Sequence, residues 1–370
     1  MATTSAPADI TNHDSAPPTN PTTTPSAAMP LISPHALLYA SLAQEPPLRP
    51  SSRKPSQCRP ISINTSSLTH ASGSTLIKIG QTTAVCGVRA EILPIHEIAN
   101  YRVNKTPENY VAQADHGEDS PEADAVIRNH NLLVPNLELA TGCSPFHLPG
   151  SPPSQEAQSL SQRLLSLLHT SRVLRLTDLC IYDETITDLE REIPGIDASP
   201  EKKLKALWVL YIDTVVINHD GNLFDACALA MFSALRDTLL PKAWWDVDLE
   251  SVMCSPEKGQ AKGLRLRGCP VPLSFAVFRS NKLEEGGTSR KIEQVLCDPD
   301  AFEEGCCREQ GCVIVDQDKE GRVVVLKVEK NGGGGVGRSG LRELVERAGE
   351  RWKEWQQVLV KEAESEKSEN

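Results

Sequence analysis

The first 30 residues of this 370-residue chain contain no lysine or arginine, and Asp9 and Asp14 are their only charged side chains. A mitochondrial presequence needs arginines on an amphipathic helix, and a secretory signal needs a basic start before an apolar stretch, so the sequence predicts neither. The segment holds six prolines and seven threonines. Because it cannot bury enough apolar area to offset its ordering entropy, we predict a disordered tail over residues 1–30.

The chain also lacks any apolar run near the roughly 20 residues that cross a bilayer. This predicts a soluble, intracellular protein that does not contact membranes. There is no Gly-x-x-x-x-Gly-Lys-Ser/Thr loop and no Gly-x-Ser-x-Gly elbow, which argues against an NTPase or an ordinary serine hydrolase. A zinc-binding helix starting at His96 would need a second His where Asn100 stands. Gly335 begins a Gly-x-Gly-x-x-Gly match, but no strand follows to complete a dinucleotide fold, so a flexible glycine loop is favoured.

Cys-x-x-Cys pairs, which are typical of zinc sites, are absent although the chain has 11 cysteines. Several cysteines lie inside apolar runs, which predicts buried free thiols instead of a disulfide framework. These are Cys86, Cys180 and Cys227. We predict no metal and no other cofactor, even at the densest group of thiols, which comprises Cys297, Cys306, Cys307 and Cys312.

Acidic residues are missing from positions 46–90, although the chain has a formal net charge of -11. Such an acidic protein repels a phosphate backbone over most of its surface, which argues against a free-standing, high-affinity nucleic-acid binder. The local basic strip is suited equally to contacting phosphates and to docking an acidic partner. It comprises Arg49, Arg53, Lys54, Arg59, Lys78 and Arg89.

The clearest structural signal lies in residues 73–92. Even positions from Ala84 to Ile92 are apolar and polar side chains occupy odd positions, which is the period of a strand with one buried face. Gly80 interrupts two runs rich in β-branched residues and can supply the positive φ of a tight turn. The pattern predicts a β-hairpin.

Helical periodicity predicts a short helix within residues 33–48 and a longer one over residues 154–171, with Ser154 as its N-cap. Residues 225–235 form an alanine-rich helix able to approach a sheet closely, and residues 340–362 form a terminal helix. The apolar run at 208–218 predicts a strand covered on both faces, whereas residues 100–129 predict an irregular surface excursion. Further strands are predicted at residues 131–139, 271–278, 311–316 and 322–328.

Each half of the chain therefore places strands before helices, which predicts an α+β fold of mixed β-sheets packed with helices in two sub-domains. The first domain spans residues 31–249, with an insertion at 184–205. A linker at 250–267 leads to a second domain at 268–363 and a disordered tail at 364–370.

Several separate segments agree, in order, with one known family. Besides the hairpin, they are Cys143-Ser144-Pro145, residues 150–158, Asp178-Leu179-Cys180-Ile181, Trp208-Val209-Leu210-Tyr211, and Asp220-Gly221-Asn222 with Asp225-Ala226. The chain resembles the RNase PH-like proteins, in particular the subunits that form the ring of the eukaryotic RNA exosome. The likeness runs from about residue 33 to the end, apart from the insertions. It implies the RNase PH-like fold.

Active members of this family degrade RNA from its 3′ end with phosphate as the attacking group, which requires arginines around the phosphate and a pair of carboxylates. In the active pattern the carboxylates lie six residues apart. Six residues after Glu304 stands Gln310, and six after Gly305 stands Gly311. The second carboxylate is therefore missing in either register, and we predict no catalytic residue.

The arginines of the active pattern are also depleted. Two of their positions fall on Ser159 and Ser166, and an Arg-x-Arg element before the double proline is replaced by residues 146–148. An Arg-Pro-Asp-Gly-Arg element reads Arg49-Pro50-Ser51-Ser52-Arg53 here, so its flanking arginines survive. The remaining candidates for RNA or phosphate contact are Arg49, Arg53, Arg163 and Arg172.

The resemblance therefore implies a non-catalytic subunit that helps to build the RNA-threading channel of the exosome core ring and supports RNA turnover and rRNA maturation. Implied partners are other RNase PH-like ring subunits, RNA-binding cap subunits and single-stranded RNA. The implied location is the nucleus, nucleolus and cytoplasm. One alternative is an active phosphorolytic exoribonuclease, and another is a free nucleic-acid-binding module. In the former, the usual carboxylate pair would be replaced by Asp298, Asp300, Glu303 or Glu304.

Overall fold

The computed structural model describes residues 33–98, 121–183, 203–283 and 289–369, except positions 146, 150, 151, 153, 319, 334 and 335. The predicted tail at 1–30, the insertion up to residue 202 and Gly335 lie outside these residues. Two main β-sheets packed with helices make up the fold, which confirms the α+β prediction. Of the helices described, none is long and apolar enough to cross a membrane.

The first sheet has the strand order β1-β2-β3-β6-β4, and β5 pairs with the other end of β6. The predicted hairpin is confirmed, since β2 pairs with β3 in antiparallel register and Gly80 has a φ of 59° in the turn. Residues 203–205, assigned from the sequence to the insertion, are the first residues of β6. The strands are β1 Ile61–Thr65, β2 Gly73–Ile79, β3 Thr82–Pro94, β4 Leu133–Leu139, β5 Cys180–Asp183 and β6 Lys203–Asn218.

Only one face of β6 is fully covered. Leu210 and Ile212 are buried, whereas the alternate residues Val209 and Tyr211 are half-buried and Ile217 is 51% exposed. The prediction of a strand covered on both faces is therefore wrong. In this mixed sheet β6 pairs with β3 in antiparallel and with β4 in parallel register, and its alternate side chains face away from the core.

Seven α-helices occur among the described residues. They are α1 Pro34–Leu42, α2 Pro121–Asn129, α3 Gln155–Ser171, α4 Leu176–Leu179, α5 Leu223–Asp237, α6 Ala301–Cys306 and α7 Arg338–Glu369. The cap of α3 is as predicted, because the Ser154 side chain accepts a hydrogen bond from the Ala157 N–H. Helix α2 lies within the predicted irregular segment at 100–129, so that prediction is wrong for its last nine residues. The buried residues Ala123, Val126 and Ile127 have helical spacing, but they extend over little more than one turn.

Helix α5 lies between the two main sheets. Every residue from Leu223 to Leu235 is buried, and α5 packs against β2 and β3 of the first sheet and against β11, Val271–Leu283, of the second. Such burial on all sides requires an apolar helix, and its alanines allow both sheets to approach. This central helix places the loop before it, residues 219–222, at the junction of the two halves.

The second sheet has the order β12-β11-β13-β14. These strands are β11 Val271–Leu283, β12 Ser289–Cys297, β13 Glu309–Gln317 and β14 Val323–Asn331. Helix α7 packs on one face, and α1 and α5 pack on the other. Residues 364–369, predicted as a disordered tail, continue α7, because this Glu-, Lys- and Ser-containing stretch includes no helix breaker.

The predicted linker at 250–267 is not irregular throughout. Strand β8 Ala243–Asp246 forms a hairpin with β9 Ser251–Cys254, and β7 Leu239–Leu240 pairs with β10 Lys262–Gly263. The connection between the halves therefore contains short paired strands. Periodicity does not reveal them, because each strand has four residues or fewer.

Candidate functional site

A cleft of about 210 Å³ lies where α3, the start of α5 and the second sheet meet. It brings together five residues singled out by the family pattern, namely Ser159, Arg163, Glu304, Gln310 and Gly311. The sequence therefore located the right part of the fold. The other lining residues are Glu156, Leu160, Asn222, Leu223, Phe224, Ser274, Phe275, Pro299, Glu329 and Asn331.

Arg163 is already engaged within the cleft. Its Nε donates to Glu329 Oε2 at 2.9 Å, and its guanidinium lies 4.0 Å from the centre of the Phe224 ring. Lys327 Nζ lies 2.5 Å from the other Glu329 oxygen and donates to Ser166 Oγ at 2.8 Å. Burial raises the pKa of Glu329, but hydrogen bonds and charge interactions with Lys327 and Arg163 lower it overall. The arginine and lysine thus share one carboxylate of the protein itself, which offsets one of their two positive charges.

The position of the missing carboxylate has no room for a side chain. A Cβ at Gly311 would lie 2.4 Å from Phe275 Cζ and 2.7 Å from the Glu329 carbonyl oxygen. Gln310, which is the corresponding position in the other register, is exposed on β13 and has an amide side chain. Neither position supplies a negative charge to the cleft.

Glu304 binds the loop before α5. Its Oε1 accepts the Asn222 backbone N–H at 2.8 Å, and Asn222 has a left-handed φ of 53°. Burial raises the pKa of Glu304 to about 7. Glu304 therefore stabilises a strained loop, and about half of it is protonated near neutral pH.

Within the part of the chain that the structure describes, no group of three or more His, Cys, Asp or Glu side chains could hold a metal ion. The densest thiols are not poised for metal binding either, because burial raises the pKa of Cys297 to about 11 and that of Cys307 to about 12. Cys86 and Cys227 are buried free thiols, as predicted, whereas Cys180 is half-buried.

Arg49, a predicted RNA contact, is 2% exposed. Its NH1 donates to Glu303 Oε2 at 3.1 Å, and its NH2 donates to the carbonyls of Cys297, at 2.5 Å, and Pro55. Glu303 is fully buried as well. Arg49 therefore joins the N-terminal strip to the segment after β12, and its buried guanidinium has no surface to offer RNA, which corrects the expectation for this residue.

Two further arginines bind the same acidic segment. Arg53 NH1 donates to the Asp298 carbonyl at 3.0 Å, and its NH2 lies 3.4 Å from Asp300 and 3.5 Å from Glu303. Arg59 binds both oxygens of Asp298. We call this cluster the arginine clasp; it comprises Arg49, Arg53, Arg59, Asp298, Asp300 and Glu303.

The sequence did not predict the clasp, because its two halves are at least 239 residues apart in the chain. One local signal was available. Asp300 and Glu303 have the spacing of a capping box, and they form one at the start of α6, with Asp300 accepting from the Glu303 N–H and Glu303 from the Asp300 N–H. The capping box predicts the helix, although it does not predict the arginines.

Arg172, the fourth candidate, lies apart from the others at the end of α3. It has a left-handed φ of 49°, its side chain is 54% exposed, and its Nε lies 3.4 Å from Asp124 Oδ2. Arg128 and His169 line the same shallow depression. The four predicted arginines therefore lie in three places, and sequence analysis missed the two basic residues beside Arg172.

The chain is thus an α+β protein in which a buried helix lies between two sheets and a polar cleft lies at the N-terminal end of that helix. Two archaeal structures share this fold: one described as an Archaeoglobus fulgidus exosome with RNA bound to the active site (TM-score 0.53, 19% identity) and one as an archaeal exosome core (TM-score 0.54, 18% identity). The superpositions each cover 88% of this chain and 97% and 96%, respectively, of the archaeal chains.

The sequence profile described as the 3′ exoribonuclease family, domain 1, matches residues 57–241, and the chain belongs to this RNase PH family. The Schizosaccharomyces pombe protein named exosome complex component rrp43 is 30% identical over 85% of this chain and 91% of its own. Exosome complex component Rrp42 of Methanothermobacter thermautotrophicus is 26% identical over 78% of this chain and 80% of its own.

Proposed function

We propose that the chain is a non-catalytic subunit of an exosome core ring, where it supports 3′-to-5′ RNA processing and degradation by helping to form an RNA-threading channel. The relatives named above are exosome complex components, and the similarity to the S. pombe protein extends over most of both chains. The proposed partners are other RNase PH-like ring subunits, RNA-binding cap subunits and single-stranded RNA.

The observation that carries the non-catalytic part is the pairing of Arg163 with Glu329. A phosphate entering the cleft would meet one arginine that is already paired with Glu329, together with the side chains of Glu156 and Glu304. Phosphoryl transfer depends on fixed positive charge around the phosphate, supplied by arginines, lysines or metal ions. The cleft supplies little positive charge, and Gly311 leaves no space for the second carboxylate.

The enzyme alternative would need the acidic segment 298–304 to act in place of the usual pair. Asp298 and Glu303 are 1% and 0% exposed and are bound by Arg59 and Arg49, respectively. Their carboxylates therefore cannot reach a substrate without breaking the clasp. Glu304 is the one acidic residue of this segment that lines the cleft, so it is the residue to test.

Phosphorolysis separates the two functions. The purified chain and the assembled complex would be incubated with 5′-labelled single-stranded RNA, phosphate and Mg²⁺, and nucleoside diphosphate release would be measured. We expect the chain alone to release none above background, with Glu304→Gln behaving identically. Release that is abolished by Glu304→Gln would overturn the non-catalytic assignment.

Assembly is tested by affinity purification of the chain from a native extract, followed by size-exclusion chromatography and identification of the co-eluting proteins by mass. We expect a stable hetero-oligomer containing other RNase PH-like proteins. Recovery of the chain as a lone monomer would contradict the ring and favour a free nucleic-acid-binding module.

For RNA contact within the assembly we favour the surface at the end of α3, where Arg128 and Arg172 are exposed and His169 is half-buried. Replacing Arg128 and Arg172 by Ala in the assembled complex should weaken RNA binding at every sequence and lower the salt slope by roughly 1 per lost phosphate contact. The control is Arg322→Ala, which removes an arginine that is 69% exposed at the opposite end of the chain. Equal RNA affinity and salt slope in all three complexes would exclude this surface.

We further propose that the protein acts in the nucleus, the nucleolus and the cytoplasm. This follows from the proposed role in rRNA maturation and general RNA turnover, which take place in those compartments. A fluorescent fusion that complements loss of the protein should be visible in all three. Confinement of a functional fusion to a different compartment would overturn the proposal.

A further inference from the structure

The hairpin formed by β8 and β9 presents two different faces. Its strands pair in antiparallel register, with Trp244 opposite Met253 and Trp245 opposite Val252. Because side chains alternate along a strand, these two cross-strand pairs lie on opposite sides of the hairpin. The two faces of the hairpin therefore carry different side chains.

The face of Trp245 and Val252 attaches the hairpin to the domain. Lys205 Nζ lies 4.7 Å from the centre of the Trp245 ring, and Val252 packs against the main core. Strand β8 also contacts β5. One face of the hairpin is thus held against the domain, and the opposite face, with Trp244 and Met253, is turned away from it.

The outward face is apolar. Trp244 is 37% exposed and Met253 is 38% exposed, and the turn adds Val247 and Leu249 at 58% and 61%. We call these four residues the hairpin face. Single exposed hydrophobic residues are ordinary, but these four lie on one short hairpin, and Trp244 and Met253 are cross-strand neighbours. Exposed apolar patches mark interaction surfaces, and tryptophan is enriched among the residues that dominate binding energy.

Acidic residues alternate with the apolar ones. Asp246, Asp248 and Glu250 lie at the turn, and residues 243–254 contain no lysine or arginine. Asp246 Oδ1 accepts the backbone N–H groups of Asp248 and Leu249 at 2.9 and 3.2 Å, so Asp246 shapes the turn. Asp248 and Glu250 are exposed, and their charges would repel a phosphate backbone and attract a basic surface.

We propose that the hairpin face docks a basic protein partner, which receives Trp244 and Leu249 in an apolar groove bordered by lysine or arginine. The undescribed segment at 184–202 is a poor occupant, because it carries six acidic and two basic residues and would be repelled by Asp248 and Glu250. The proposal rests on the proposed function only in that the partner is sought within the assembled complex.

Site-specific photo-crosslinking in the purified native complex tests this surface. A photoreactive phenylalanine analogue would replace Trp244, and a control chain would carry it at Ile217, which is 51% exposed on the first sheet. We expect position 244 to crosslink to one segment of another protein that contains apolar residues flanked by lysine or arginine, and position 217 not to reach that segment. Crosslinks to RNA, to residues 184–202, to a second copy of this chain, or none at all would each overturn the proposal.

Charge reversal then tests the chemistry with the crosslinked protein as the probe, measured by isothermal titration calorimetry. Asp248→Lys combined with Glu250→Lys should weaken binding by at least about tenfold, as should Trp244→Ser. The control pair, Glu138→Lys with Glu346→Lys, changes net charge equally at exposed sites elsewhere and should leave affinity unchanged. Equal affinities in all variants would overturn the proposal.

The two proposals can fail separately. Loss of the crosslink from an intact hetero-oligomer would sink the docking surface alone, whereas recovery of a lone monomer would sink the proposed assembly.

Discussion

The guanidinium of Arg59 binds both oxygens of the Asp298 carboxylate, with Nε 3.0 Å from Oδ2 and NH2 2.8 Å from Oδ1. Arg59 precedes β1 of the first sheet, and Asp298 follows β12 of the second. Asp298 also accepts Asn222 Nδ2 at 2.6 Å, so the loop before α5 joins the same contact. Burial would raise the pKa of Asp298, but its hydrogen bonds and charge interaction with Arg59 lower it overall. This buried pair therefore links the two halves of the fold.

Removing Arg59 should be costly, because it leaves a buried carboxylate without its counter-charge. We expect Arg59→Ala to lower the free energy of unfolding by about 3–5 kcal/mol, measured by urea denaturation. Arg322→Ala removes an arginine that is 69% exposed and pairs with Glu320 and Asp318, so its cost should stay within about 1 kcal/mol. Similar losses in both variants would show that the buried pair has no special structural role.

Glu304 should make stability depend on pH near neutrality. Its pKa is raised from 4.5 to about 7 in the folded chain, so the folded state binds more protons between these values. The resulting contribution is fully present below pH 4.5 and is lost as pH rises through 7.

Glu304→Gln isolates this contribution, because an amide oxygen can still accept the Asn222 N–H and does not titrate. The variant and the wild type should be about equally stable near the unfolded-state pKa, and the variant should become more stable above neutral pH, by up to about 3 kcal/mol. Denaturation curves across this range measure the difference. A difference that does not change with pH would contradict the raised pKa.

The sequence predicted those parts of the fold that depend on local pattern. The β2–β3 hairpin and the Ser154 cap follow from side-chain period and cap chemistry within a few residues. Strand β12 was missed because nothing in its sequence alternates cleanly, and β8 to β10 were missed because each is at most four residues long. Their pairing is determined by neighbours distant in sequence, which periodicity does not report.

The same distinction between local pattern and distant contacts applies to the candidate site. The family pattern singled out Ser159, Arg163 and Gln310, and these residues line one cleft. The pattern could not show that Arg163 is neutralised by Glu329, or that Arg49 is buried in a clasp with Glu303. An arginine in a sequence is equally suited to an ion pair and to a phosphate, and only the position of the carboxylates distinguishes the two.

Gly311 should tolerate no side chain. A Cβ there meets Phe275 at 2.4 Å, so we expect Gly311→Ala to cost about 1–3 kcal/mol of stability through overpacking. Gly305 provides a matched control in helix α6, where nothing lies within 4 Å of an added Cβ. Gly305→Ala should be neutral or stabilising by up to about 1 kcal/mol, as is usual for glycine in a helix. Thermal or urea unfolding of the two variants measures both effects, and equal stability of the two would show that Phe275 yields freely.

Inorganic phosphate should not stabilise the wild-type protein specifically, because Arg163 and Lys327 are already engaged by the Glu329 carboxylate. A ligand at a hundred times its Kd stabilises the folded state by about 2.7 kcal/mol, which is easily seen as a rise in melting temperature. Glu329→Gln would release both cations, so we expect phosphate to raise the melting temperature of this variant more than that of the wild type. General stabilisation by excluded phosphate affects all variants alike, and Glu346→Gln, at an exposed site on α7, measures it. A wild-type rise as large as that of Glu329→Gln would mean that Arg163 remains available to phosphate in spite of its ion pair, and would reopen the enzyme alternative.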